Sequence, residues 1–419
     1  MPFPRRPIPP CARLRRKFDA THVENPRVEV RERLLAAGLR NKVFPGARVA
    51  ITAGSRGIGG FVDLIAGIAD AIKAAGGKPF VIPAMGSHGG GVAEGQKEIL
   101  RVLGVTEESV GAPVSATMDT LELGRSESGA VAHADKLTIV ADGIIVLGRV
   151  KTHPESAEGL ASGLLKMITV GIGKQAGAQE AHSHGLWESV RAVPKLTLAK
   201  TKILFGVAVV ENAYRQPLAI EVVPADYDAF VEADERLLKV AQPHVAKLPF
   251  KALDVLVVDE IGKTISGSGM DTNVIGNWRI KGGKREPDFY RIVALSLTKA
   301  SLGNGLGIGL ADFTTERFVR EFDPGPTFVN LLTATEPDAV NPREGTLPLA
   351  LPSDREAIEV ALYSALAKGK PHLCRIKSTA QLDEFWVSEA LLEEALADGS
   401  ISQSETPQPM EFDSDGNLF

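Results

Sequence analysis

One pattern narrows the choice of fold before composition is considered: an apolar strand, a glycine-rich loop and an amphipathic helix, met twice in succession. Arg48-Val-Ala-Ile-Thr52 follows the Pro45-Gly46 turn and reads as a short buried strand. It runs into Gly54-Ser-Arg-Gly-Ile-Gly-Gly60, and Phe61 to Ala75 then carries apolar residues at helical spacing. The second unit is strand Lys78–Pro83, loop Met85-Gly-Ser-His-Gly-Gly-Gly91 and a helix over Val92–Leu103. Strands that alternate with helices in this way build parallel sheets covered on both faces. The sequence therefore predicts an α/β protein with mostly parallel sheets, whose chemistry sits at the carboxyl ends of its strands.

The remaining elements divide into two groups. Before the first strand, residues 1–45 read as an irregular arm followed by a helix over Glu29–Leu39. Strands are expected at Leu137–Val140, Gly143–Val150 and Ile203–Val210, and a helix at Ala225–Val240. Pro243 and Pro249 mark the change of domain, so the expected domains are 1–247, catalytic and cofactor-binding, and 248–419, closing the site. A cleft between two such domains is a favoured ligand position. The second group opens with the strand Asp254–Glu260 and a Gly-rich loop, Gly262–Gly269. A helical stretch near Asp288–Leu297, a strand near Gly307–Leu310 and helices at Asp354–Lys368 and Val387–Ala397 follow. The polar tail from Ser402 is expected to drape over the surface.

Composition excludes several classes. The 419 residues carry a net charge of −5, which gives no electrostatic case for nucleic acid or an anionic membrane. Two cysteines, Cys11 and Cys374, stand at opposite ends, too few for a disulfide framework or a cysteine-built zinc site. That usage fits a reducing cytoplasm. The start is basic and broken by prolines, unlike a secretory signal. No run of about 18 apolar residues is present to span a membrane.

The chemistry-bearing residues concentrate in Arg149 to Gly185, which holds His153, His182, His184 and Lys166 in an otherwise apolar, Gly-rich run. Lys166 stands among Leu164, Leu165, Met167 and Ile168. Desolvation there would disfavour the ammonium and favour a nucleophilic amine. Arg56 and His88 lie in the two earlier glycine loops, beside Gly57 and Ser87. Arginine suits a carboxylate or phosphate, and two histidines from different loops suit an acid–base pair around one substrate.

Thr52-Ala-Gly-Ser-Arg-Gly-Ile-Gly59 resembles the phosphate loop of short-chain dehydrogenases. That family pairs a tyrosine with a lysine four positions later, and Tyr214, Tyr227, Tyr290 and Tyr363 are followed there by Leu218, Val231, Ala294 and Ala367. The dehydrogenase reading thus lacks its proton donor.

The ordered set Gly-Ser-His88, Lys-Thr-His153, Ser-Gly-Leu-Leu-Lys166 and His182 resembles the lactate racemase family of nickel-pincer-nucleotide isomerases. Lys166 and His182 stand sixteen positions apart, the interval that family places between its cofactor-bearing lysine and its nickel-binding histidine. The resemblance implies a tethered nickel-pincer nucleotide (pyridinium-3-thioamide-5-thiocarboxylic acid mononucleotide with nickel). It implies Lys166 as the point of attachment, His182 rather than His184 on the metal, and Gly57 and Ser87 near the cofactor. His88 and His153 would be the catalytic bases and Arg56 the carboxylate contact. The implied reaction is racemisation or epimerisation of a small 2-hydroxy acid by reversible hydride transfer, with cofactor-maturation enzymes as partners.

This chain departs from the family in three places. Ala53 stands where the family has an aspartate three positions before the arginine, and the segment between His153 and Lys166 is longer. The substrate lysine of the family's C-terminal part has Lys263 as its first counterpart here and Lys299 as its second. The competing readings are a dehydrogenase with a diffusible nicotinamide and a non-catalytic carrier of nickel or cofactor.

Overall fold

Residues 4–152, 162–334 and 342–418 are described by a computed structural model. In chain order the strands begin with β1 (Cys11–Arg16), β2 (Arg48–Ala53), β3 (Lys78–Pro83), β4 (Thr120–Arg125) and β5 (Val131–Asp135). They continue with β6 (Gly143–Arg149), β7 (Ile203–Glu211), β8 (Pro217–Pro224), β9 (Ala252–Ile261) and β10 (Asp288–Leu297). The last are β11 (Phe313–Thr315), β12 (Leu349–Leu351), β13 (Leu373–Ser378), β14 (Gln381–Ser388) and β15 (Ile401–Gln403). The chain forms two compact units, one of Asp19–Val245 with Val329–Val340, the other of Met1–Phe18, Ala246–Phe328 and Asn341–Phe419. Both are α/β, with sheets that are mostly parallel.

The unit that begins at Asp19 is built on the sheet β3-β2-β6-β7-β8, parallel except for the last pair. After Arg48 and Lys78, every residue of β2 and β3 is buried. Strands covered on both faces read as continuous apolar runs, which is why these two were legible. The helix Phe61–Ala74 buries Leu64, Ile65, Ile68 and Ile72 against one face of the sheet. Each such burial is worth about 1.5–3 kcal/mol. Gly67 lets this helix meet the helix Pro26–Ala36, since a Cβ there would lie 2.3 Å from the Arg27 carbonyl oxygen. The strand expected at Leu137–Val140 is instead a helical turn, Lys136–Ile139. Asp135 caps it, accepting from the Leu137 N–H at 2.7 Å, and the local strand is β5, paired antiparallel with β4.

The other unit carries the sheet β12-β11-β10-β9-β13-β14-β1-β15, parallel from β12 to β13 and antiparallel beyond. The expected irregular arm thus supplies β1, between β14 and β15. Asp288–Leu297 is strand β10 and not a helix. Its Ile292 and Ala294 enter one core cluster while Val293 and Leu295 enter another, so both faces are buried. The expected strand at Gly307–Leu310 is a 3₁₀ turn, Ile308–Leu310, and the strand is β11. Val387 still belongs to β14, and the last helix is Leu392–Leu396. The tail is packed: Gln408 bridges Cys11, the Gly416 carbonyl accepts from the Arg355 N–H at 3.0 Å, and Met410, Phe412 and Leu418 lie against the core. Cys11 and Cys374 are buried free thiols. Burial pushes the Cys11 thiol up to about 12, against the opposing Arg375 charge. Among the described residues no helix is long and apolar enough to cross a membrane.

Candidate functional site

The two glycine loops leave the carboxyl ends of the adjacent parallel strands β2 and β3 and meet through side chains. Ser55 Oγ lies 3.4 Å from His88 Nε2. Gly57 and Gly60 hold φ of 63° and 65°, a backbone region open to glycine and costly for most other residues. Gly59 is compelled by contact instead, because a Cβ there would stand 2.0 Å from the Arg215 carbonyl oxygen. This close approach joins the first loop to the tip of the β7–β8 hairpin. Glu211, at the end of β7, accepts from the Gly59 N–H at 2.7 Å and from Arg149 Nη1 at 2.6 Å. Burial would raise the Glu211 carboxyl, but Arg149, Arg215 and the Gly59 N–H together hold it below its ordinary value. Arg56, the loop residues Gly57 to Gly60, Asp63 and Arg215 are among those that line a recess of 490 Å³.

Behind His88 lies a buried polar chain. Lys174 is fully buried, and its Nζ donates to the Pro83 carbonyl at 2.5 Å and to Gln96 Oε1 at 3.0 Å. It also pairs with Asp135 Oδ2 at 3.1 Å. Gln96 Nε2 in turn donates to the Gly86 carbonyl at 2.8 Å and to the His88 carbonyl at 3.3 Å. Burial lowers the Lys174 ammonium and raises the Asp135 carboxyl from their ordinary values, and each is opposed by the other's charge. Ser87 is buried and accepts from Asn330 Nδ2 at 3.1 Å.

Lys166 ends a short helical turn, Leu164–Lys166, that continues as a π turn over Met167–Ile172. Such turns recur at functional sites. Asp234 caps the start: its carboxylate accepts from the Leu164 N–H at 3.0 Å and the Leu165 N–H at 3.2 Å. Burial pushes that carboxyl up to about 6, against the two N–H groups that favour its charged form. Gly163 leaves the room, since a Cβ there would meet the Asp234 carboxyl at 2.4 Å.

The chain then reverses at Gly173-Lys174, where Lys174 takes a φ of 55°. The helix Lys174–Ser183 folds back along the π turn. Thr169 O lies 3.1 Å from where a Gly177 Cβ would be, and Val170 and Ala178 both border Gly86. The Met167 side chain reaches Gly54, beyond β2, and Gly171 lies against both Met167 and the Ala84 carbonyl, beyond β3. Lys166 is half-buried, with its ammonium 5.4 Å from the centre of the Trp187 ring. His182 is half-buried in the last turn of the reversed helix. His184 instead keeps Nδ1 3.0 Å from the Glu180 carbonyl and borders Gly129 of the β4–β5 hairpin.

Of the residues expected from the sequence, Arg56, Gly57, Ser87, His88, Lys166 and His182 all belong to the unit that begins at Asp19. The π turn touches both glycine loops. His153 lies outside the described residues. Lys263 and Lys299 belong to the other unit. Lys263 is buried, and its ammonium donates to the Gly267 carbonyl, while Lys299 is exposed at the start of the turn Lys299–Ser301. Sequence reasoning missed Ser55, Gln96, Asp135, Lys174, Asp234, Arg215 and Trp187. Lys174 alone carried a signal, a charge inside the apolar Gly-rich run that holds Lys166.

No family model and no curated protein matches this sequence. Among solved structures the chain is similar to a Thermotoga maritima protein from a structural genomics programme, at a TM-score of 0.52 and 12% identity over 77% of this chain and 86% of that one. That likeness is one of fold. The chain also matches the lactate racemase apoprotein from Thermoanaerobacterium thermosaccharolyticum at a TM-score of 0.45 and 13% identity, covering 80% of this chain and 84% of that one.

Proposed function

We propose that the protein is a racemase or epimerase of a small 2-hydroxy acid, working with a nickel-pincer nucleotide tethered to Lys166. The observation that carries the reading is the reversal at Gly173-Lys174, which sets Gly177 beside Thr169 and brings both Val170 and Ala178 against Gly86. Continued by one helical turn toward each end, the Val170 and Ala178 pair would lead to Lys166 on one side and His182 on the other. Sixteen positions of uninterrupted helix would instead hold them about 24 Å apart. The ordered His88, Lys166 and His182 motifs support the reading independently.

The residues fit such a group. Among the described residues no three or more His, Cys, Asp or Glu side chains gather to hold a metal ion. A nickel at His182 would therefore bring most of its donors with it, as a pincer with sulfur and carbon ligands does. When bound, that group supplies a carbon that takes up and returns hydride. Lys166, under Trp187, would hold it in place. His88 would take the proton of the substrate hydroxyl as the α-hydrogen leaves, its ring steadied by Ser55, and His153 would serve the other enantiomer. Arg56 would hold the substrate carboxylate. Lys263, the proposed further carboxylate contact, would have to release the Gly267 carbonyl. The cofactor-maturation enzymes are the proposed partners.

The reading is tested by following racemisation of a panel of 2-hydroxy acids with protein co-produced with those enzymes. His88→Ala is expected to keep the adduct while losing about 10²–10⁴-fold in rate. Adduct-bearing parent protein that turns over none of the panel would favour the carrier reading, and full activity in His88→Ala would remove that histidine from the chemistry.

A further inference from the structure

The recess beside the first glycine loop is assembled with more care than the reading above requires. Arg215 sits at the tip of the β7–β8 hairpin with a φ of 60°, a conformation that non-glycine residues adopt at a cost. The buried Asn212 side chain fixes that tip, its Oδ1 accepting from the Tyr214 and Gln216 N–H groups at 3.0 Å each. The Arg215 N–H donates to the Asn212 carbonyl, also at 3.0 Å. The tip is then pressed against the first loop by the Gly59–Arg215 approach and by the Glu211 bond to the Gly59 N–H. The outcome is a second arginine on the wall of a recess that already has Arg56, with Asp63, whose charge is met by Arg27, also on that wall.

Charge explains why a structural purpose alone does not account for it. Glu211 already has Arg149 bonded at 2.6 Å and a backbone N–H at 2.7 Å. Arg215 is a second guanidinium near one carboxylate. Burial lowers its affinity for its proton, Glu211 opposes that shift, and Arg149 adds to it. No hydrogen bond or ion pair of the Arg215 side chain occurs among the described residues. Its planar donors suit two oxygens of a carboxylate or phosphate. At 490 Å³ the recess has the size of a small-molecule site.

We propose that this recess binds an oxyanion of the carboxylate or phosphate type, gripped by Arg215 from the hairpin tip and by Arg56 from the glycine loop. The inference extends the part given to Arg56 under the proposed function but needs no cofactor and no turnover. The two ideas can therefore fail separately. The oxyanion belongs either to a substrate carrying carboxylates or to a phosphorylated ligand, and simple probes separate these.

The test is a thermal-shift titration of the purified full chain with inorganic phosphate and with malonate, at ionic strength held constant with sodium chloride. The variants are Arg215→Asn, which removes the charge and suits the positive φ, Arg215→Lys, which keeps charge without the planar fork, and Arg56→Gln. The expected result is saturable stabilisation of the parent by one or both probes. Loss of a charged hydrogen-bond donor should weaken the apparent affinity about tenfold or more in Arg215→Asn and Arg56→Gln, and less in Arg215→Lys. Saturation by phosphate alone supports a phosphorylated ligand, and by malonate alone a carboxylate substrate. A parent that shows no saturation with either probe overturns the proposal, as does an Arg215→Asn protein that folds and keeps the parental affinity.

Discussion

Asp234 is the buried carboxylate on which the Lys166 turn rests, and its burial has a sign in pH. The group ionises near its ordinary 3.8 in the unfolded chain and at about 6 when folded. Between these values the unfolded chain has lost a proton that the folded chain retains, so stability falls as pH rises from about 4 to about 6 and is level above. The full effect is about 3 kcal/mol at most. Urea midpoints across pH 4–7 should show this fall in the parent, and Asp234→Asn should remove it; an unchanged slope would contradict the assignment. Lys174 makes a second residue-scale case. Lys174→Met would leave the Asp135 carboxylate buried without its partner and should cost about 3–5 kcal/mol, much of it returned by adding Asp135→Asn, which removes the charge and keeps the oxygen that caps Leu137. A loss under about 1 kcal/mol by urea unfolding would mean that the pair carries little. The candidate site was legible in the sequence where a polar residue interrupts a Gly-rich apolar run, as with His88, Lys166 and His182. Asp234 lies 70 positions from Leu164, and Gln96 lies 78 from Lys174, so only the folded chain brings them together.

At the scale of elements, the site depends on three tight chain passages: the Gly59 contact, the Gly163 cap and the reversal at Lys174. Gly59→Ala would drive a methyl to within 2.0 Å of the Arg215 carbonyl oxygen. It should cost about 1–3 kcal/mol or more by urea unfolding. Gly399→Ala meets nothing within 4 Å and should change stability by less than about 0.5 kcal/mol. Equal effects of the two would show that the loop and hairpin are not held together as described. Strands β2 and β3 were readable because each is a short apolar run ending in glycines. Strand β10 was not, because Ile292-Val-Ala-Leu-Ser-Leu297 is equally apolar as a buried helix or a buried strand, and only the register with β9 decides. The Lys136–Ile139 turn was misread because its apolar residues follow directly on β5, and Asp135 both ends the strand and caps the turn.

At the scale of the whole molecule, the N-terminal segment belongs with the later part of the chain. β1 pairs with β14 on one side and β15 on the other, and buries Ala12 and Leu14. Removing residues 1–18 would strip β15 of its neighbour and open an edge on β14. Limited proteolysis of the shortened chain should therefore cut first near Ile401–Gln403, and cleavage no faster than in the full chain would contradict that role for β1. No local pattern announced this pairing, because Cys11–Arg16 is short, basic and far in sequence from its partners. The alternation of strands and helices, by contrast, gave the α/β class directly. The claim on which the proposed function depends is that Lys166 carries the cofactor. The measurement is the intact mass of the protein co-produced with the cofactor-maturation enzymes, with the modified peptide mapped, beside a Lys166→Arg variant. The account predicts added mass on the parent, located at Lys166 and absent from the variant; an unmodified parent, or an adduct that survives in Lys166→Arg, would contradict it.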